Sequence, residues 1–168
     1  MFKMRRVSTP ADIETVAALA HETWLQHYVP IIGRAQTDYM LAKFQSAPAL
    51  ARQIADGYEY YLALDDSAPA GYFAVVPNPV DGQALLSKIY VTQQRRGNGL
   101  GKAIVAFVEA RCEELGLREL WLTVNRNNTG SIAFYQKVGF MIAGTFVQDI
   151  GNGFVMDDYR MTKTLADR

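Results

Sequence analysis

The sequence predicts an α+β fold, in which a mixed, mostly antiparallel central sheet carries helices on both faces. Two pairs of strand-like segments are joined by short turns, which is typical of antiparallel hairpins. One strand–helix–strand segment between them indicates a parallel connection. Three helical segments before the first hairpin and one before the second complete the order β-α-α-α-β-β-β-α-β-α-β-β.

The N-terminal part is predicted to hold one strand and three helices. Thr9 and Pro10 read as a capping residue and a proline at the first helical position. Apolar residues then follow at helical spacing, and Pro30 and Gly33 are expected to end this helix. Ser46 is expected to cap the third helix. The predicted elements are a strand at 2–7, a helix from 10 to about 28, and short helices at 37–43 and 48–55.

The remaining part is predicted to alternate strands with two helices. Segments rich in aromatic and β-branched residues flank a turn at 65–69, and a second hairpin closes across 151–153. The helix that begins near Leu100 has one apolar face and is ended by Gly116, and the last helix is stopped by Gly139. The predicted strands are 58–64, 71–76, 84–91, 119–124, 140–148 and 154–164, and the last helix runs from 128 or 129 to 137.

Composition and charge narrow the functional classes. The 168 residues are enough for one domain, expected to span 1–168, and the 49% hydrophobic and 20% charged content is that of a globular protein. Seventeen basic and 17 acidic residues balance, which gives no support for nucleic-acid binding. Because no apolar run reaches membrane-span length and the N-terminus does not resemble a signal peptide, we expect a cytoplasmic protein without membrane contact. The single cysteine, Cys112, excludes an internal disulfide, and no metal site is expected.

The segment 94–102 is the most informative one, because it is a glycine-rich turn between a strand and the start of a helix. Glycines let the main chain approach a ligand closely, and the first amides of a helix lack partners within the helix. Arg95, Arg96 and Lys102 add positive charge. The segment therefore predicts a binding site for a phosphate-bearing ligand.

The glycine spacing excludes two common nucleotide loops. The ATP/GTP loop requires a glycine where Arg96 stands and a hydroxyl residue where Ala103 stands. The dinucleotide loop reads G-x-G-x-x-G, whereas the glycines here are Gly97, Gly99 and Gly101. The pattern Q-x-x-G-x-G, which runs from Gln94 to Gly99, fits instead.

A second motif lies downstream, at 124–140, and reads V-x-x-x-N-x-x-S-I-x-x-Y-x-x-x-G-F. Together, the two motifs resemble the acyl-CoA-binding region of the Gcn5-related N-acetyltransferase (GNAT) superfamily, in which alanine is usual where Ser131 stands. The resemblance covers about 85–140 and implies a three-layer GNAT fold with acetyl-CoA as cosubstrate. The K-I-Y-V strand at 88–91, the W-x-x-x-Y of the first helix and the long final hairpin are similar to those of the polyamine (spermidine/spermine) acetyltransferases.

The resemblance also implies a cofactor site. The main chain of 89–91 is expected to pair with the pantetheine arm like an extra strand, and the glycine-rich loop is expected to hold the pyrophosphate. Of Arg95 and Arg96, one is expected to reach a phosphate and the other to stay solvated. The implied cofactor-binding residues are Ile89, Tyr90, Val91, Gln94, Arg95, Arg96, Gly97, Asn98, Gly99, Leu100, Gly101, Lys102, Asn128 and Tyr135.

Tyr135 is the implied catalytic residue. Its phenol, with an ordinary pKa of about 10, could donate a hydrogen bond or a proton to the thiolate that acetyl transfer expels. The alternative is a tyrosine that only packs its ring beside Ile132. Asn128 is expected to hydrogen-bond to the cofactor, and capping of the short helix is its competing role.

The general base stays open at this level. An amine must lose a proton before it attacks, yet the central strand has no acidic residue and Lys88 is its only charge. A water relay or Glu22 could serve, whereas His21 and His27 are expected to be surface or capping groups. Cys112 lies on the apolar helix face, which favours direct attack in a ternary complex over an acetyl-cysteine intermediate.

The acceptor site is expected to form from the first helix, the loop after it and the last hairpin. Carboxylates for a polyamine could come from Asp149, Asp157 and Asp158, although each of them, taken singly, is expected to face solvent. The candidate substrate residues are Glu22, Trp24, Tyr28 and Phe154. The three aromatic ones could equally belong to the core.

Three functions stay open. The first is acetylation of a primary amine of a small molecule such as a polyamine, and the second is acetylation of a peptide or protein amine. The third is an acyl-CoA-binding regulatory module without turnover, which the missing strand acid keeps open and Tyr135 argues against. A homodimer is compatible with the resemblance.

Overall fold

The computed structural model describes residues 1–165, so the last three residues of the expected domain 1–168 lie outside the described residues. The order of elements is the predicted one, with an added short 3-10 turn. In chain order they are β1 (Phe2–Arg6), α1 (Pro10–Ile32), α2 (Arg34–Phe44), α3 (Ala47–Ala55), β2 (Glu59–Asp65), β3 (Ala68–Asn78), β4 (Gln83–Val91), the 3-10 turn (Gln93–Arg95), α4 (Leu100–Glu114), β5 (Glu119–Asn125), α5 (Thr129–Lys137), β6 (Met141–Gly151) and β7 (Phe154–Thr164).

The seven strands form one sheet in the order β1-β2-β3-β4-β5-β7-β6. All neighbouring pairs are antiparallel except β4 and β5, which are parallel and connected by α4. A parallel pair needs a crossover connection, and a helix supplies it here. The prediction of a mixed, mostly antiparallel sheet is therefore confirmed.

Helices cover both faces of the sheet, and each face has its own apolar core. Tyr61 and Phe73 stack with ring centroids 5.0 Å apart in the core that α4 and α5 cover. Their neighbours Tyr60 and Tyr72 point the opposite way, into the core that α1, α2 and α3 cover. The central strands thus bury side chains on both faces, which explains their nearly continuous apolar character.

The first helix is longer than predicted, because α1 continues through Pro30 to Ile32. A proline near the end of a helix keeps a helical φ and removes only one main-chain donor. The helix ends at Gly33, whose N–H donates to the Val29 carbonyl at 2.9 Å. The expectation that Pro30 ends α1 was wrong, and the expectation for Gly33 is confirmed.

A β-bulge in β4 sets which side chains face which core. Leu86 and Lys88 pair with consecutive residues of β3, so Ser87 between them has no partner there. A bulge of this kind reverses the alternation of the side chains that follow it. Leu86 and Ile89 therefore both pack toward α4, whereas Lys88 and Tyr90 face the side of α1.

Candidate active site

A gap between β4 and β5 organises the site. These strands pair only through Gln83–Leu85 and Glu119–Trp121, and β4 has no further partner on this side among residues 1–165. A large cavity of about 940 Å³ opens on the α4 and α5 side, and a small cavity of about 270 Å³ lies on the α1 and α2 side. The two cavities meet at the gap, where they share Tyr28, Ser87, Lys88, Tyr90, Thr123 and Val124.

The glycine-rich loop forms one end of the large cavity. Gly97 and Gly99 have φ angles of +81° and +88°, in the left-handed region that favours glycine. Gly99 caps α4, so the first amides of that helix are left for a ligand. A Cβ at Gly101 would stand 3.1 Å from the ring of Phe134, and this glycine therefore lets α4 and α5 approach closely. Of the implied loop residues, Arg95, Arg96, Gly97, Gly99, Gly101 and Lys102 line the cavity, while Gln94, Asn98 and the buried Leu100 do not.

The two loop arginines differ in their partners. Arg95 forms an ion pair with Asp65 at 2.7 Å, so it is not the solvated charge that the sequence led us to expect for one of the pair. Arg96 donates from Nε to the Val91 carbonyl at 3.4 Å. Neither Arg96 nor Lys102 takes part in an ion pair within the described part of the chain, and both are exposed. These two cations are therefore available to an anionic ligand.

Tyr135 lies on α5 with its ring in the core and lines the large cavity. Its ring packs edge-on against Phe134 and Phe140, at centroid distances of 5.4 and 5.7 Å. Burial, followed by the proximity of Tyr28, raises the pKa of the Tyr135 phenol well above its ordinary value. The phenol thus keeps its proton at neutral pH and can donate a hydrogen bond into the cavity, and its ring also packs, so the catalytic and packing roles are compatible.

His27 belongs to the site, in contrast to the expectation that it is a surface or capping group. Its Nε2 lies 2.9 Å from Nδ2 of Asn128, and both residues line the large cavity. Burial, and then the nearby charge of Arg96, lower the pKa of His27, which leaves a neutral ring able to accept this bond. Asn128 also caps α5 through Oδ1, which accepts from the Ser131 N–H at 3.3 Å. The spacing of His27 from Trp24 on one helix face is the signal that could have found it.

An aromatic cluster closes the α1 side of the gap. The hydroxyls of Tyr28 and Tyr90 are 3.0 Å apart, and burial raises the pKa of Tyr28 to about 12. Trp24 packs on both rings, at 4.9 and 5.4 Å, and its Nε1 donates to the hydroxyl of Tyr72 at 2.9 Å. Tyr28 therefore reaches both cavities, while Trp24 is a fixed wall of the small one.

Two charged side chains line the small cavity, Lys88 and Asp158. Asp158 is only 4% exposed, which corrects the expectation that it faces solvent. Burial raises its pKa to about 6, although the hydrogen bond from Thr123 acts to lower it. Burial lowers the pKa of Lys88 to about 8, and its Nζ contacts Oγ of Ser87 at 2.7 Å.

Comparison with known proteins agrees with this geometry. The sequence model of the Acetyltransferase (GNAT) family matches residues 18–140. The protein belongs to this family. It is therefore an acyl-CoA-dependent N-acetyltransferase, and the resemblance drawn from the two motifs is confirmed.

The GNAT family relatives span nearly the whole chain. An uncharacterized N-acetyltransferase of Mycobacterium tuberculosis is 28% identical over 92% of this chain and 99% of that protein. The spermidine N(1)-acetyltransferase of Thermoplasma acidophilum is 24% identical over 87% of this chain and 90% of its own length. The crystal structure of the PaiA N-acetyltransferase of the same organism, in complex with coenzyme A, is 22% identical and has a TM-score of 0.79 over 98% of this chain and 99% of that one. The GNAT fold is thus shown by sequence and by structure.

Several other candidate residues lie outside the GNAT site. Glu22 and His21 are exposed on α1 and line neither cavity, and Phe154 packs on Tyr39 at a centroid distance of 5.4 Å. Asp149 is exposed and accepts a hydrogen bond from Gly151 in its own turn. The structure does not bring these residues to the gap.

Four further observations concern groups that could have had other roles. Cys112 is fully buried on the core-facing side of α4, and burial raises the pKa of its thiol to about 11, so it is inert as a nucleophile. Asp157 pairs with Arg126 at 2.9 Å. Among residues 1–165 there is no cluster of three or more His, Cys, Asp or Glu that could hold a metal ion, and no helix is long and apolar enough to cross a membrane.

Proposed function

We propose that the protein transfers the acetyl group of acetyl-CoA to a primary amine of a small molecule, such as a polyamine, by direct attack in a ternary complex. The observation that carries this proposal is the meeting of two cavities at the β4–β5 gap. A thioester that enters from the α4 face and an amine that enters from the α1 face would meet there. Such alignment of two reactants lowers the barrier before any acid or base acts.

The large cavity fits acetyl-CoA. The free amides at the start of α4, with Arg96 and Lys102, form an anion site for its pyrophosphate. The unpaired side of β4 at Ile89–Val91 offers main-chain donors and acceptors to the amide groups of the pantetheine arm. When bound, acetyl-CoA supplies a thioester whose carbonyl carbon the amine attacks.

Tyr135 acts as the general acid in this proposal. As the new C–N bond forms and the C–S bond breaks, its phenol donates a proton to the departing sulfur. The phenolate then recovers a proton from the acetylated nitrogen through Tyr28, which is close enough to raise the pKa of Tyr135. The amine enters as an ammonium beside Asp158 and gives one proton to that carboxylate before it attacks, so the step balances without a further reactant.

The small cavity favours a small acceptor over a peptide. Its walls come from α1, α2 and the last hairpin, and its volume of about 270 Å³ suits a compact molecule. A polyamine is supported by the spermidine N(1)-acetyltransferase relative and by the buried carboxylate of Asp158. A regulatory module without turnover is disfavoured, because Tyr135 lines the cavity next to the gap.

A thiol-release assay with acetyl-CoA tests the proposal. The acceptors are polyamines, amino acids, aminoglycosides and short peptides, and we expect release with small amines and not with peptides. Binding of CoA is measured separately by calorimetry. A protein that binds no CoA would contradict the donor site, and turnover of peptides alone would replace the small-molecule acceptor.

A further inference from the structure

The charges of the small cavity select its ligand more sharply than its size does. Of the residues that line it, only Lys88 and Asp158 are charged, and the surrounding surface is largely apolar. The apolar and aromatic lining residues include Trp24, Ile32, Met40, Phe44, Trp121 and Phe146. A ligand for this cavity therefore needs an apolar body and polar groups at fixed places.

Asp158 marks the place of a cationic group next to the gap. It lies on β7 and is buried, yet its one described hydrogen-bond partner is the hydroxyl of Thr123. Its charge also raises the pKa of Tyr28, so the carboxylate is close to the residue that joins the two cavities. A primary amine held by Asp158 would thus lie beside Tyr28 and face the thioester.

Lys88 marks the place of an anionic group on the opposite wall. The bulge at Ser87 places Lys88 in the same alternation as Tyr90, whose ring packs on the α1 side of β4, and Lys88 lines both cavities where they meet. Its Nζ contacts only the neutral Oγ of Ser87, and burial is the sole cause of its lowered pKa. At neutral pH the group still carries most of its charge, without a nearby carboxylate to balance it.

The two charges do not neutralise each other. Strand β5 and the gap separate β4 from β7, so the main chains of Lys88 and Asp158 are roughly 10 Å apart. Neither residue takes part in an ion pair among the described residues 1–165. Buried charges of this kind are costly unless a partner or a ligand satisfies them.

We propose that the acetyl acceptor is an amino carboxylic acid with an apolar or aromatic side chain, whose amine binds Asp158 and whose carboxylate binds Lys88. This inference rests on the proposed acetyl transfer and replaces the polyamine as the acceptor. A polyamine would place a second ammonium group in a cavity that already holds the Lys88 cation. An amino acid satisfies both the buried charge of Asp158 and the partly buried charge of Lys88, and it fills the apolar walls.

The test compares two acceptors that differ by one carboxylate, phenylalanine and phenethylamine, in the thiol-release assay with acetyl-CoA. We expect wild-type kcat/KM to be at least tenfold higher for phenylalanine, since a charge-assisted hydrogen bond in an enclosed site is worth about that factor. Lys88→Met should lower this ratio about tenfold through KM, and Lys88→Arg should restore much of it. Lys3→Met, which removes an exposed lysine on β1, is the matched control and should keep the wild-type ratio.

The wild-type enzyme alone can overturn the proposal, even if the Lys88 variants fold poorly. Equal or better turnover of phenethylamine, or of spermidine, would show that the cavity does not select a carboxylate. An unchanged ratio in Lys88→Met with intact CoA binding would remove Lys88 from the assignment. Thiol release that occurs before any amine is added would instead contradict the acetyl transfer to an amine, and with it this inference.

Discussion

The closed side of the sheet, where β1, β2 and β3 are paired with one another, and the β4–β5 gap each bury a carboxylate. The pKa values of these two carboxylates are shifted in opposite directions. Glu59 on β2 accepts hydrogen bonds from Arg111 at 3.0 and 3.1 Å and from Tyr61 at 2.9 Å. Burial acts to raise its pKa, but these bonds prevail and the pKa of Glu59 is lowered. Asp158 has only Thr123 as a described partner, and burial raises its pKa to about 6.

This difference separates structural from functional polar groups. The Glu59 pair joins α4 to β2 with every charge satisfied, which is what folding requires of a buried ion pair. Asp158 and Lys88 are left partly unsatisfied at the cavity, where a ligand can complete them. The closed region is therefore expected to respond to mutation through stability, and the gap through turnover.

Tyr135→Phe should have the largest effect, on the gap side. Removal of the phenolic proton donor should lower kcat about 100-fold, because general-acid catalysis typically contributes that much. The thermal midpoint should change little, since the ring packing against Phe134 and Phe140 is kept. Tyr159→Phe, outside both cavities, is the control. Unchanged turnover on a true acceptor by a folded variant would refute the assignment of Tyr135 as the acid.

Glu59→Gln should have the next largest effect, on the closed side. It leaves Arg111 without its carboxylate and should lower the free energy of unfolding by about 2 kcal/mol, less than for a fully enclosed pair because Arg111 is partly exposed. The folded-state pKa of Glu59 is lowered, so the wild-type advantage is present at neutral pH and is lost as pH falls below the ordinary pKa of glutamate. Denaturant titration of wild type and variant at pH 7 and pH 3 measures this difference in the free energy of unfolding. A large loss of kcat/KM in Glu59→Gln would show that the closed side also affects turnover.

Asp158→Asn should do the opposite, raising stability while lowering activity. Because the folded pKa of Asp158 is raised to about 6, ionisation of this carboxylate costs stability as pH rises from about 4 to 6. At pH 7 the variant should be more stable than wild type by about 1 to 2 kcal/mol, with the difference vanishing near pH 4. Asp149→Asn, which changes an exposed carboxylate outside both cavities, is the control and should keep wild-type activity. A destabilised Asp158→Asn would mean that this carboxylate is structural.

Arg96→Ala and Arg95→Ala compare a cation without an ion-pair partner and a paired cation within the glycine-rich loop, and smaller effects are expected. Arg96 has no ion-pair partner among the described residues, so its loss should raise KM for acetyl-CoA about fivefold and leave kcat unchanged. Arg95 is paired with Asp65, and its loss should change this KM less than twofold. Initial-rate kinetics at saturating acceptor measure both. Equal effects of the two variants would show that ion pairing does not decide which arginine reaches the ligand.

Most of the residues expected at the cofactor site line the large cavity, whereas only Trp24 and Tyr28 of the four expected substrate residues line the small one, and the reasons are physical. Local spacing encodes the loop of Gly97 and Gly99 and the position of Tyr135, because one turn and one helix fix them. The burial of Asp158 depends on the pairing of β7 between β5 and β6, which are distant in the chain. The role of His27 depends on its contact with Asn128, 101 residues away. The local spacing from Trp24 places His27 on the same face of α1, but no local pattern contains either long-range contact.

The bulge at Ser87 has a consequence for how this enzyme can change over time. On this single strand, Ile89 and Val91 line only the large cavity, whereas Lys88 and Tyr90 also line the small one. Substitutions at the second pair can alter the small cavity while the residues that line only the large cavity stay as they are. One extra residue in a strand thus lets the specificity of the enzyme diverge without loss of the cosubstrate it shares with its relatives.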